Sequence, residues 1–230
     1  SIKKIIIAID GYASTGKSSL AKQLSLKLNY IYVNSGSMYR AITLYAINKK
    51  LIPLNEKNIA DLISSLPEIK LDYIINKSSK LSDIYLNRLN VEKQINSLEV
   101  SNHVSFVAEV PEIRRFVVKI QKSFKSKEGL VMDGRDIGSV VFPDADLKLF
   151  LTASDKVRAK RRYDELNKGG HKVDYDDILY NIISRDKKDS ERKDSPLIIA
   201  KDAIVIDNSD LSIEEQLESV LKIIKSKFSL

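Results

Sequence analysis

Ile5-Ile6-Ile7-Ala8-Ile9-Asp10-Gly11-Tyr12-Ala13-Ser14-Thr15-Gly16-Lys17-Ser18 is the stretch that decides the fold. Its first five residues form a continuous apolar run rich in β-branched side chains. Such a run suits a strand buried on both faces, as in a parallel sheet. Gly11 to Ser18 then match the phosphate-loop spacing G-x-x-x-x-G-K-[ST] in full. Two glycines let the backbone turn tightly and approach a ligand closely. The loop amides can then converge on an anion at the N-terminus of the next helix, where the helix dipole favours negative charge. In this geometry Lys17 bridges β- and γ-phosphate oxygens and Ser18 offers its hydroxyl to Mg²⁺. The nucleotide-binding set expected from the loop is Gly11, Tyr12, Ala13, Ser14, Thr15, Gly16, Lys17, Ser18 and Ser19, with Ser18 as the metal ligand.

Downstream, leucines at 20, 24 and 28 have helical spacing, and Tyr30–Val33 reads as a second strand. Met38–Ile47 reads as a helix. From Ile69 to Val91 the rhythm changes: Leu71, Tyr73 and Ile75 alternate with other positions, Lys77-Ser78-Ser79-Lys80 turns, and Ile84-Tyr85-Leu86 resumes. That is the pattern of a small antiparallel hairpin set into an alternating β/α chain. Two helices follow, the second opening at Pro111. Leu130–Asp133, Leu147–Leu151 and Ala203–Asp207 complete five strands. Asp155–Leu166 and Ile178–Lys188 read as helices, and Ser212 with Glu215 forms a capping box at the start of the last one. The expected class is α/β: a three-layer α/β/α sandwich of the P-loop NTPase kind around a five-stranded parallel sheet.

Composition narrows the function classes. With 230 residues, 43% hydrophobic and 30% charged, the chain suits one globular unit with an ample core. It has no cysteine, which excludes a disulfide scaffold and a thiolate metal site and fits a reducing compartment. The opening residues lack the form of a signal peptide and no apolar run is long enough for a membrane span, so a cytoplasmic location without a membrane partner is expected. The net charge of +7 favours a polyanionic ligand. Lysines are scattered, but arginines concentrate from the middle of the chain onward, at 114, 115, 135, 158, 161, 162, 185 and 192, with Arg40 among the earlier ones. Arginine is suited to bidentate phosphate contacts and to a transferring phosphoryl group. No guanine-reading N-K-x-D follows a strand, which argues against a GTPase. An acceptor that carries its own phosphate brings a second dianion to the γ-phosphate and demands several extra cations. This chain has them.

Asn34-Ser35-Gly36-Ser37-Met38-Tyr39-Arg40 resembles the S-G-x-x-Y-R segment of bacterial cytidylate kinases, within the P-loop nucleoside monophosphate kinases. Asp133-Gly134-Arg135-Asp136-Ile137-Gly138-Ser139-Val140-Val141-Phe142-Pro143 is similar to their D-G-R-D-x-G-x-V-V-F-P segment. Arg158-Ala159-Lys160-Arg161-Arg162 and Arg185–Arg192 fit their lid and the helix after it. The resemblance runs essentially end to end. It implies transfer of the γ-phosphate of ATP to CMP or dCMP with Mg²⁺, and a monomer that binds no nucleic acid. It also implies a division of the single unit into a core (about 1–36, 126–153 and 197–230), a monophosphate-binding insertion (about 37–125) and a lid (about 154–172).

The implied roles are specific. Asp136, Arg114 and Ser105 would read cytosine, whose amino donor and neighbouring acceptors call for a carboxylate and donors. Arg40, Arg135 and Arg185 would grip the acceptor phosphate, with Arg192 near the sugar and phosphate. Asp189 would accept from ribose hydroxyls, and Ser35 would border the acceptor. Arg158 and Arg162 would reach over the ATP phosphates from a mobile lid, so Lys17, Arg135, Arg158 and Arg162 form the expected catalytic set. Asp133 could order Mg²⁺ waters or cap the next turn. Arg115 and Arg161 read as solvated or structural, His103 and His171 as ordinary surface or core histidines, and positions 71, 73, 85 and 86 as hairpin core. A kinase of the same fold acting on UMP or dUMP, and a nucleic-acid-binding module exploiting the basic charge, are the competing readings.

Overall fold

The computed structural model describes residues 4–124 and 128–229. The expected junction at 125/126, and residues 1–3 and 230 at the ends of the expected core, lie outside the described residues.

Strand β1, Ile6–Gly11, runs into the phosphate loop, and helix α1, Lys17–Leu28, leaves it. Then come β2 (Ile31–Asn34), α2 (Ser35–Asn48), α3 (Glu56–Ser65), the short strands β3 (Leu71–Ile75), β4 (Ser82–Leu86) and β5 (Leu89–Asn90), α4 (Leu98–Glu109) and α5 (Pro111–Ser123). The second half contains β6 (Leu130–Gly134), a π-helical turn at Ile137–Val141, β7 (Leu147–Thr152), α6 (Asp155–Lys168), α7 (Tyr175–Glu191), β8 (Ile204–Asp207) and α8 (Ile213–Phe228). The large sheet has the order β2-β6-β1-β7-β8 and its pairs are all parallel; β3-β4-β5 form a separate antiparallel sheet. The expected five-stranded α/β sandwich is therefore present, and the hairpin region carries a third strand.

The apolar run works as its composition requires. Ile7 and Ile9 face one layer, where α1 and α8 pack with Leu147, Leu149 and Leu151. Ala8 faces the other, in a cluster that continues through α2, α3, the small sheet, α4 and α5. A third, smaller cluster joins α6 to α7.

Several boundaries differ from expectation for local reasons. α2 begins at Ser35 rather than Met38, because the Asn34 side chain accepts from the Ser37 N–H at 3.0 Å and caps the helix three residues earlier. α7 is longer at both ends than 178–188, capped by Asp174. α3 has no counterpart among the expected elements, yet its Asn55 cap and the spacing of Ile59, Leu62 and Ile63 are helical signals. The Ser212–Glu215 capping box is formed as expected.

Gly11 is required where strand meets loop. At φ 153° a Cβ there would lie 2.2 Å from the backbone oxygen of Leu151, the partner of Gly11 in the β1–β7 ladder. Gly11→Ala is expected to destabilise the protein by about 2–4 kcal/mol, since the obstruction is backbone and cannot rotate away. Thermal or urea unfolding reads this directly.

Candidate active site

The C-terminal ends of the parallel strands open onto a cleft of about 760 Å³. This is where parallel α/β sheets place ligands. The phosphate loop and the start of α1 form its floor. Gly16, at φ 82°, precedes α1, and the first turn of α1 contains no acidic residue and has no side-chain cap, so its N–H groups and dipole stay open to an anion. Residues 14–19 line the cleft, and Ser35, Arg40, Ser105, Arg114, Arg135, Asp136, Arg162, Arg185, Asp189 and Arg192 line it as well. Side chains from five separate parts of the chain thus meet at the loop.

Lys17 is buried, and its ammonium donates to the backbone oxygen of Tyr12 at 2.6 Å. Burial lowers its pKa well below the usual lysine value, and Arg135 and Arg185 push the same way, against the opposing pull of Asp133. Arg185 is brought down to about 10 by the protein crowded around it and by Arg135, although its side chain is open to the cleft, and burial lowers Arg40 too. Cations that depress one another in this way form a site short of anions, which a phosphate would relieve. One acid offsets part of the crowding. Asp189 accepts from Arg135 Nε at 2.9 Å and from Arg192 Nη1 at 3.1 Å. Burial alone would raise its pKa, but Arg135, Arg185 and Arg192 together hold it below the usual carboxylate value.

At the other end of the cleft, Arg114 Nη2 donates to Asp136 at 3.1 Å, with both side chains 3% exposed. Arg114 also donates to the Ala108 carbonyl and lies over the Tyr39 ring, 4.8 Å from its centroid. Three buried polar atoms around this pair have no partner: Arg114 Nε, Arg192 Nη2 and the Tyr39 hydroxyl. Buried polar groups are normally satisfied, so a concentration of free ones beside a cleft points to a polar ligand.

Asp133, which sequence leaves between two readings, accepts from the Ser18 hydroxyl at 3.0 Å and from the Tyr32 hydroxyl at 2.7 Å. Asn34 donates to both hydroxyls. The Ser18 hydroxyl and Asp133 carboxylate make a hard oxygen pair at the loop, which fits a cation such as Mg²⁺.

Arg158 departs from the expected placement over the phosphates. It is buried behind the loop, where Nε donates to the Ala153 carbonyl at 2.9 Å and Nη1 donates to the Ala13 carbonyl at 3.1 Å and to Asp186 at 2.5 Å. Asp186 also accepts from the Ala13 N–H, so this pair braces the phosphate loop from below. Arg162, on the same helix, is 43% exposed beside the cleft and pairs with Glu165. Arg161, expected to be solvated or structural, lines the cleft and is held by Asn208, whose side-chain nitrogen donates to the Thr15 carbonyl at 2.8 Å. Arg158→Ala leaves the partly buried Asp186 without its counter-charge, and is expected to cost about 2–4 kcal/mol of stability. The KM for ATP should rise as the loop loosens; a mutant with unchanged melting temperature and ATP affinity would refute the brace.

Sequence reasoning missed Asp10, Tyr32, Asn34, Asp186 and Asn208. Asp10 had a signal, an acid ending an apolar strand. Asn208 had none, since its partners lie in the loop and in α8. Tyr73 was expected only as hairpin core, but its hydroxyl also donates to the Asn34 carbonyl at 2.7 Å.

Residues 7–226 match the family model described as "Cytidylate kinase". A cytidylate kinase from Flavobacterium johnsoniae is 52% identical over 223 residues, covering 97% of this chain and 97% of that protein. One from Phocaeicola vulgatus is 48% identical, covering 94% of each. The crystal structure of an uncharacterized protein from Eubacterium ventriosum superposes with a TM-score of 0.50 at 14% identity, over 97% of this chain and 99% of that one, a likeness of fold alone.

Proposed function

The chain belongs to the cytidylate kinase family, and from that premise we propose that it transfers the γ-phosphate of ATP to CMP and dCMP, giving ADP and CDP or dCDP. The observation that carries this reading is one cleft holding a phosphate loop at one end and the buried Asp136–Arg114 pair at the other, with Arg40, Arg135 and Arg185 between them.

Residues 14–19 hold the ATP phosphates through loop amides and the α1 N-terminus, while Gly11, Tyr12 and Ala13, expected in the same set, do not line the cleft and shape the turn instead, the Ala13 N–H being taken by Asp186. Lys17 leaves the Tyr12 carbonyl for the β- and γ-oxygens. Ser18 and Asp133 would hold Mg²⁺, which when bound would supply charge neutralisation to the phosphates. Arg40, Arg135 and Arg185 orient the acceptor phosphate, with Arg192 on the sugar side. Asp189 meets the ribose, Ser35 borders the acceptor, and Arg162 closes from the lid. The acceptor oxygen is already a nucleophile, so no covalent enzyme intermediate is needed. It attacks the γ-phosphorus in line as the bond to the ADP oxygen breaks, and positioning and charge stabilisation lower the barrier. Closure of the lid excludes water that would otherwise take the phosphoryl group.

Cytosine is favoured over uracil because the carboxylate of Asp136 can accept from the cytosine amino group, while Arg114 and Ser105 donate to its acceptors. Uracil presents the opposite polarity at that edge. We assign about 1–36, 126–153 and 197–230 to the core, about 37–125 to the monophosphate-binding insertion and about 154–172 to the lid. The protein acts as a cytoplasmic monomer without nucleic-acid or membrane partners. Among the described residues, no helix is long and apolar enough to cross a membrane.

A panel of nucleoside monophosphates with coupled ADP detection tests the assignment. CMP and dCMP should be the preferred acceptors; a preference for UMP or dUMP would overturn it.

A further inference from the structure

Asp10 is the next-to-last residue of β1, beside the first glycine of the phosphate loop, is 5% exposed, and has no part in the mechanism above. Its two carboxylate oxygens are both engaged on the far side of the sheet junction. Oδ1 accepts from the Ile137 N–H at 2.9 Å and Oδ2 from the Gly138 N–H at 2.8 Å. Those two amides open the π-helical turn that follows Asp136, and the Asp136 carbonyl is itself bonded to the amides of Val140 and Val141 in that turn. In the sheet, Asp10 pairs with Gly134, the residue before Arg135. Arg135 and Asp136 thus lie between two attachments, the β1–β6 ladder on one side and the Asp10 carboxylate on the other.

We propose that Asp10 is a positioning residue for acceptor recognition, its carboxylate fixing the turn that carries Arg135 and Asp136 to the strand that launches the phosphate loop. This rests on the assignment of Asp136 to the acceptor base. Two backbone donors aimed at one side chain need an acceptor at both of its ends, which an ionised carboxylate supplies and an amide does not. In Asp10→Asn the NH₂ group must face one of the two N–H groups, so one bond becomes a repulsion at nearly unchanged volume.

The charged groups facing Asp10 are Lys17 on α1 and Asp136 on the turn, and the Lys148 stem from β7 packs beside Gly138. Burial raises the Asp10 carboxyl to about 6 and Asp136 adds to this, while the two amides and Lys17 draw it down.

Steady-state kinetics of Asp10→Asn, with CMP, UMP and ATP varied separately, tests the proposal. The KM for CMP is expected to rise about tenfold or more and the CMP/UMP ratio of kcat/KM to shrink, with the KM for ATP within about twofold. A purely structural role would lower the melting temperature and active fraction without splitting the two substrates in this way. An unchanged KM for CMP and an unchanged ratio in a folded mutant overturn the proposal. The wild-type CMP/UMP ratio, measured alongside, reads the function itself, so the two can fail independently. Should Asp10→Asn not fold, the ligand-free wild type serves instead. The Ile137 and Gly138 amides are expected to exchange with deuterium as slowly as the β1–β6 ladder amides, and exchange of either at the rate of an unstructured chain overturns the clamp.

Discussion

Replacement of Lys17 by alanine is expected to lower kcat for CMP phosphorylation by about 10³-fold or more while leaving the protein folded. Lys17 is the cation of the loop itself, held in reserve on the Tyr12 carbonyl. Its removal takes positive charge from the point where the β–γ bridge breaks. The same change should leave the melting temperature unaltered or raise it. Burial, Arg135 and Arg185 all depress the Lys17 pKa, so its folded form is held below its unfolded value. A base depressed on folding adds stability only at pH above its unfolded pKa and withdraws it as pH falls through the folded value. Wherever the unfolded lysine is protonated, burying this amine is therefore a burden on the fold, and alanine lifts it. Loss of turnover together with undiminished stability is the signature of charge gathered for catalysis. Retained turnover in the purified mutant would remove Lys17 from the mechanism.

The second large effect concerns Asp136. Asp136→Asn is expected to reduce kcat/KM for CMP by about 10²-fold and to reduce that for UMP much less, so that the acceptor preference narrows. An amide keeps an oxygen for Arg114 but presents a donor where the cytosine amino group also donates. Buried polar sites discriminate strongly because a mismatch leaves groups unpaired with no water to replace the partner. Asp136→Ala separates selectivity from stability. It strands Arg114, which is 3% exposed, without its counter-charge, and is expected to cost about 3–5 kcal/mol. Kinetics with CMP and UMP for the amide variant, and unfolding curves for both variants, check this. A CMP/UMP ratio unmoved by Asp136→Asn would exclude Asp136 as the base reader.

Much of the fold could be read in the sequence because its signals are local. The run Ile5–Ile9 can be satisfied only by burial on both faces, and it occupies the centre of the parallel sheet. The change of rhythm at Leu71–Leu86 marks the antiparallel sheet, though not its third strand, Leu89–Asn90, which is two residues long and exposed. The acceptor-side arginines were legible as a group because their number exceeds what a solvated surface requires. Their individual orientations were not. Arg158 and Arg162 stand four residues apart on α6, yet one supports the loop from behind while the other borders the cleft.

By itself the amino-acid sequence determined the phosphate loop, the five strands of the parallel sheet in chain order, and the charge that a polyanionic ligand must answer. Each depends on residue type and on spacing within a few positions. Tertiary structure alone decided which groups touch across the chain: Asp10 with the Gly138 amide 128 residues away, Asp133 with Ser18 across 115, and Asn208 with Thr15 across 193. Such bonds form only after packing has removed water from both partners, and no local pattern encodes which partner will be there when it does.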